Sequence, residues 1–255
     1  MLNFAHSKTI EVSGLQCIEL DEMADGPRGQ AGEAAAEGRL LARPERPRTK
    51  GHTGLQRLAL PGGCGGTLFV PPRYEEAQPA PLMIALHGAR GTGFSAARSL
   101  APLANEAGFI LLAPDARDRT WDMIHGAYGP DIVCIDQALQ HVFDRYAVDP
   151  DRVAAEGFSD GASYALSVGI TNGDLFTHIV AFSPGFLAPA GQRGAPRIFI
   201  SHGTQDPMLR IDFCSRRIVP ALRRAGYDVR YQEFEGGHTV PPEIAKEAIT
   251  WFVES

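Results

Sequence analysis

The stretch that most constrains how this chain can fold is Val153-Ala154-Ala155-Glu156-Gly157-Phe158-Ser159-Asp160-Gly161-Ala162, which delivers one serine between two glycines. A strand-like run precedes the serine, and Ala162-Ser163-Tyr164-Ala165-Leu166-Ser167-Val168 reads as a helix with small residues toward a sheet. A strand that turns sharply into a helix through Gly-x-Ser-x-Gly is a nucleophile elbow. The turn strains the serine backbone, exposes its hydroxyl and brings its neighbours so close that only glycine fits at 157 and 161. A serine hydroxyl is a weak nucleophile at neutral pH, so it also needs a base within reach and donors for the developing oxyanion. In a chain with 28 glycines the five-residue pattern alone is weak. The flanking strand and helix set it apart from a plain Gly/Ser turn.

The rest of the chain supplies the sheet such an elbow requires. Leu55–Leu60 and Thr67–Val70, split by a Gly-rich turn, form a hairpin pattern. Pro81–Leu86, Phe109–Ala113, His178–Ser183 and Arg197–Ser201 are apolar runs of buried-strand length, and Val229–Phe234 follows as a further strand. Between them, Ala96–Ala107, Asp131–Tyr146 and the segment after Pro241-Pro242 repeat apolar residues every three or four positions, as amphipathic helices do. Asp149-Pro150 reads as a turn. Alternating strands and helices predict an α/β fold with a mostly parallel central sheet and helices on both faces. At 255 residues, one such domain over 54–255 is expected. Residues 1–53 are expected as a flexible tail, since Asp21–Thr53 is rich in Gly, Ala, Glu, Arg and Pro; Leu40 and Leu41 are its candidates for docking.

A net charge of −6 without a long basic run argues against a nucleic-acid or anionic-membrane partner. Met1–Glu19 has no signal-peptide h-region, and no segment has the apolar length to span a bilayer, so a cytoplasmic protein without membrane insertion is expected. Cys17, Cys64, Cys134 and Cys214 are far apart and form no Cys-x-x-Cys, which predicts unpaired thiols. The oligomeric state stays open.

An acid and a histidine follow the elbow in order. His202-Gly203-Thr204-Gln205-Asp206-Pro207 comes after one strand and Glu235-Gly236-Gly237-His238 after the next. His238 is the candidate base for Ser159, and Asp206 the carboxylate that orients it. Against this, Asp206 reads as a cap before Pro207, His238 as a surface histidine, and Glu233 or Glu235 as alternative acids, although both lie too near His238 in sequence to sit behind it easily. A metal site of His202, Asp206 and His238 lacks a helical His-x-x-x-His or a Cys partner, so neither metal nor cofactor is expected. His87-Gly88-Ala89-Arg90-Gly91 follows a buried strand and can turn N–H groups to the top of the sheet; without a Gly-Lys-Ser/Thr ending it is a poor phosphate loop. Asp115–Pro130 has no periodicity and reads as a long loop at a strand's carboxyl end, where open α/β sheets bind ligands. Its Trp121 and Met123, with Met208 further on, are candidate substrate contacts, and the loop's aromatics equally fit a satellite core.

Taken together, Leu86-His87-Gly88, the elbow, His202–Pro207 and Gly236-Gly237-His238 resemble the phospholipase/carboxylesterase family of small α/β-hydrolases, reaching toward polyhydroxybutyrate-depolymerase-like esterases. The resemblance covers Leu55 to the carboxyl terminus. It implies an α/β-hydrolase fold, a Ser159–Asp206–His238 triad, and an oxyanion hole of the Ala89 and Asp160 N–H groups. It further implies hydrolysis of a small-molecule carboxylic ester through an acyl-enzyme. Acyl-thioester or lysophospholipid hydrolysis is the alternative, with a non-catalytic binding protein further off. Relatives often carry Gln after the serine and Leu-Gly-Asp after His-Gly, where this chain has Asp160 and Ala89-Arg90-Gly91.

Overall fold

The computed structural model describes residues 30–254. In chain order the elements are α1 (Gln30–Ala36), β1 (Gly54–Leu60), β2 (Cys64–Val70), β3 (Ala80–Leu86), α2 (Gly93–Ala107), β4 (Ile110–Pro114), α3 (Pro130–Phe143), β5 (Val148–Phe158), α4 (Asp160–Thr171), β6 (His178–Phe182), β7 (Arg197–Gly203), α5 (Ser215–Arg224), β8 (Val229–Phe234) and α6 (Pro242–Val253). They build one eight-stranded sheet in the order β1-β2-β4-β3-β5-β6-β7-β8. β1 and β2 form the expected hairpin and β2 pairs antiparallel with β4; every other pair is parallel. Helices α3, α4 and α5 cover one face, α2 and α6 the other. This is the α/β-hydrolase architecture.

The central strands need apolar residues on both sides because both faces are roofed by helices. All of β3, β4 and β6 is accordingly buried. The parallel register sets Leu86 opposite Gly157, Gly157 opposite Ala181, and Gly203 opposite Phe234. The carboxyl ends of β3, β5, β6, β7 and β8 therefore share one edge of the sheet, and the loops carrying His87, Ser159, Asp206 and His238 leave from it. At the opposite end Asp149-Pro150 lies inside β5 rather than in a separate turn. Its turn-like character survives as a break in register, with Ala80 opposite Val148 and Leu82 opposite Val153.

Two expectations are corrected. Residues 1–29 of the expected tail lie outside the described residues, but from Gln30 the chain lies along α3 and α4. Leu40 is fully buried, a contribution of about 1.5–3 kcal/mol for a leucine. Its N–H donates to Asn172 Oδ1 (2.9 Å), and Asn172 Nδ2 donates back to the Gly38 carbonyl (2.8 Å). Asp136 Oδ1 accepts from the N–H groups of Leu41 and Ala42, and Asp174 accepts from both Arg39 and Arg43. Local composition predicts disorder because it counts few apolar side chains. The acceptors that order this segment come from α3 and from the end of α4, far along the sequence.

The cysteines are the second correction. Cys64 at the start of β2 and Cys134 in α3 form a disulfide across 70 residues of sequence. Spacing could not show it, because packing of α3 against the β1–β2 hairpin is what brings the two together. Cys214 is a free buried thiol, and Cys17 lies outside the described residues.

Candidate active site

Ser159 stands between the last residue of β5 and the first of α4 with φ 57° and ψ −120°, a conformation that costs a non-glycine residue of order 1–3 kcal/mol. The glycines explain how the elbow closes. A Cβ on Gly157 would lie 2.2 Å from the Gly161 carbonyl oxygen, and one on Gly161 would lie 1.9 Å from that of Leu86. Neither position accepts any side chain without separating strand from helix. The Ser159 N–H is held by the Phe182 carbonyl (2.9 Å).

The structure brings Ser159, His238 and Asp206 into one hydrogen-bonded line. His238 Nε2 lies 2.9 Å from Ser159 Oγ, and His238 Nδ1 lies 2.6 Å from Asp206 Oδ2. With Asp206 ionised, Nδ1 carries the proton and donates to the carboxylate, which leaves Nε2 to accept from the serine hydroxyl. The two loops concerned are tied together. Thr204 N–H donates to the Phe234 carbonyl and Gln205 N–H to that of Gly236 (2.8 and 2.9 Å). A Cβ on Gly203 would lie 2.3 Å from the Gly237 carbonyl oxygen.

Asp206 is shut away from water. Burial pushes its carboxyl up, but the N–H groups of Leu209 and Met208, each 2.8 Å from Oδ1, and the His238 imidazole outweigh it and hold it below the usual carboxylate range. His202 is also fully buried. Its Nε2 donates to the Leu209 carbonyl (2.7 Å), with Asp206 Oδ2 at 3.3 Å, and its Nδ1 takes the Ser215 hydroxyl (2.7 Å). Burial lowers its proton affinity, so it is a neutral brace behind the Asp206 turn. Glu233 is spent on Arg216 and Tyr231. Among the described residues no group of three His, Cys, Asp or Glu side chains is placed to hold a metal ion.

Ala89 sits in the turn after β3, and Asp160 is the first residue of α4, where an N–H has no partner within the helix. Gly88 passes directly over the elbow, with a Cβ there lying 3.4 Å from Ser159 Cβ. The Asp160 carboxylate accepts from Thr120 Oγ1 (2.8 Å). Next to Thr120, the Arg119 carbonyl accepts from the N–H of Arg90, which sits at φ 62°. The elbow and the Ala89 turn are thus both pinned by the loop after β4.

That loop and the start of α3 also carry residues sequence reading did not single out, Thr120, Asp122 and Asp131, beside the Trp121 and Met123 it did. Trp121 is fully buried, stacks on Tyr164 at 5.1 Å between ring centres and donates Nε1–H to the His87 carbonyl (2.9 Å). It has no surface to offer a substrate, so the satellite-core reading holds for it. Met123 is half-buried against the same core, and Met208 is exposed beside Asp206. His87 Nε2 accepts from Ala116 N–H (3.1 Å) while Nδ1 donates to the Gly88 carbonyl (2.9 Å). Asp122 accepts from the N–H groups of Gly129 and Asp131 and from the Tyr164 hydroxyl, and Asp131 accepts from those of Arg117 and Asp122. Burial pushes Asp131 up to about 6 against those two N–H groups, and the Asp122 charge adds to the rise. Aspartates spaced along an aperiodic loop were the one available signal, since such side chains fold loops onto themselves.

No family model matches the chain. An acetylxylan esterase from Coprinopsis cinerea is 32% identical over 106 residues, a match that takes in 37% of this chain and 28% of that protein. The match therefore spans just over a quarter of the curated relative. Among solved structures, S-formylglutathione hydrolase FrmB from Staphylococcus aureus superposes with a TM-score of 0.65 at 20% identity, covering 81% of this chain and 98% of the other. Esterase PE8 superposes with a TM-score of 0.61 at 22% identity (74% and 97%). A CE1 ferulic acid esterase from Anaeromyces mucronatus does so at 0.58 and 17% (84% and 96%). These likenesses establish the fold.

Proposed function

We propose that this chain is a serine hydrolase that cleaves carboxylic esters through an acyl-enzyme. The observation that carries the reading is the 2.9 Å approach of His238 Nε2 to the hydroxyl of a serine held at positive φ, with Nδ1 on a buried, ionised carboxylate. His238 takes the Ser159 proton as Oγ attacks the ester carbonyl, and Asp206 stabilises the resulting imidazolium. The N–H groups of Ala89 and Asp160 hold the oxyanion. As the intermediate collapses, His238 hands its proton to the leaving alkoxide. Water, deprotonated by the same imidazole, then releases the acid and restores Ser159. A non-catalytic role would not require Ser159 to keep its strained backbone.

The placing among small carboxylesterases of the phospholipase/carboxylesterase kind rests on the four sequence motifs. The relatives' names, acetylxylan esterase, ferulic acid esterase and S-formylglutathione hydrolase, make oxygen esters the first substrates to try and thioesters the second. No helix among the described residues is long and apolar enough to cross a membrane. The Cys64–Cys134 bridge favours an oxidising compartment over the cytoplasm expected from sequence. The test is fluorophosphonate labelling followed by peptide mapping, with a panel of matched ester and thioester substrates. Label on Ser159 with ester turnover is expected. Turnover accompanied by label on a different serine would sink the assignment.

A further inference from the structure

On the α2/α6 side of the sheet a cavity of about 600 Å3 opens between the two helices. Its walls are apolar: Leu86, Phe158 and Phe182 from the sheet, Leu100 and Leu103 from α2, Ala245 from α6. Exposed Ser95, Ser99 and Pro242 mark its mouth. Gly88 and Ala89 border it, and Phe158, whose ring is 4.7 Å from that of His238, separates it from the triad.

In this apolar lining lies Glu156, 5% exposed, on the same face of β5 as Ala154 and Phe158. No hydrogen bond or ion pair joins it to any described residue. Burial alone pushes its carboxyl up to about 8, with no charge contributing. The other titratable side chain in the lining is His87, kept neutral by burial and engaged at both ring nitrogens. The elements packed over Glu156 add only the hydroxyls of Ser95 and Ser99; from α6, Pro242 and Ala245 line the cavity. A buried carboxyl without a partner costs stability that an alanine or leucine would avoid. No described residue offers it a donor.

We propose that this cleft binds a primary aliphatic ammonium ion, its alkyl chain against the apolar walls and its ammonium group on the Glu156 carboxylate. Apolar walls with one unpaired acid at the base complement a molecule of that shape. A full positive charge also offsets the desolvation of a carboxylate better than a neutral donor, through charge-assisted hydrogen bonds. At neutral pH the incoming ammonium replaces the carboxyl proton, which leaves to water, so one proton is released for each ligand bound. The site does not depend on the hydrolytic reading, because none of Ser159, Asp206 and His238 lines the cavity.

The experiment is calorimetric titration of the intact protein with n-hexylamine hydrochloride and, separately, n-hexanol between pH 6.5 and 8.5. The alkylammonium stays charged over this range, as a lysine does. Affinity for it should rise roughly tenfold per pH unit below about pH 8 and then level, while any affinity for hexanol stays flat. Glu156→Gln, checked for folding by circular dichroism, should lose at least tenfold in hexylammonium affinity together with the pH dependence. Ser99→Phe, at the mouth, should remove binding of both. Should Glu156→Gln fail to fold, the wild-type pH profile and Ser99→Phe decide. The proposal is overturned by absence of saturable hexylammonium binding at pH 8, by a flat profile, by equal binding in Glu156→Gln, or by preference for hexanol.

Discussion

Asp206, beyond the end of β7 at 4% exposure, and Glu156, near the end of β5 at 5%, are both carboxyl groups almost wholly out of water, and the fold holds them in opposite states. Asp206 receives two backbone N–H groups and the His238 ring, and ionises more readily than a free aspartate. Glu156 receives no hydrogen bond from any described residue and keeps its proton up to about 8. Burial raises both. The sign of the outcome is set by whether donors converge on the oxygens, and donors converge where two loops are tied together, as at 203–209 and 234–238, rather than along the regular face of a strand whose N–H groups are already paired.

The largest effect that would sharpen this contrast is on the Asp206 side. Ser159→Ala and His238→Ala should each lower ester turnover by on the order of 10⁶, and the double variant hardly further, because the groups act as one unit. Additive losses in steady-state kcat would show that the line of hydrogen bonds is not the machinery. Exchanging charge for amide at the two acids should separate them next. Asp206→Asn is expected to cost about 10⁴ in kcat by favouring the wrong imidazole tautomer, whereas Glu156→Gln, an exchange of one neutral group for another at pH 7, should leave kcat unchanged. Equal losses would break the comparison.

A smaller kinetic effect is expected at the shared border of the two regions. If the Ala89 N–H holds the oxyanion as proposed, Ala89→Pro deletes that donor and should lower kcat by about 10²–10³ with little change in KM; Ala89→Gly, which keeps the N–H, should be tolerated.

The smallest effect is on stability against pH. An unfolded Glu156 gives up its proton near 4.5, and the folded one holds it to about 8. Between those values the folded state binds one proton more, so its contribution is fully present below about 4.5 and is lost as pH rises through 8. The loss amounts to about 1.4 kcal/mol per pH unit. Urea unfolding at pH 6.5 and 7.5 should show this slope relative to Glu156→Gln. His178, whose proton affinity burial lowers to about 4, acts in the opposite sense, and mainly below pH 6.5. A wild type and variant that change in parallel would mean Glu156 has a partner in solution.

Most of the fold was legible before any coordinates, because strands roofed on both faces must be apolar throughout and helices roofed on one must repeat every three or four residues. The three residues aligned at the sheet edge were legible for a related reason. In a parallel sheet every strand end points the same way, so Ser159, Asp206 and His238, each just past a strand, had to meet at one edge. The ordered loop after β4 was not. Asp122, Asp131 and Thr120 act through backbone N–H groups between Arg117 and Asp131 and through the α4 side chains of Tyr164 and Asp160, and aperiodic sequence carries no record of those pairings.

By itself, the sequence determined most of the elements, their mostly parallel run and the elbow, since these follow from periodicity and from glycines whose replacement would drive atoms to about 2 Å; helices α1 and α5 and the strand order were not read from it. Only the tertiary structure decided that Cys64 meets Cys134, that 30–53 docks on the body, that Trp121 is core, and that Glu156 faces a cleft with no partner. Each of these depends on distances between segments tens of residues apart, where the energy lies in one or two specific contacts and leaves no pattern along the chain.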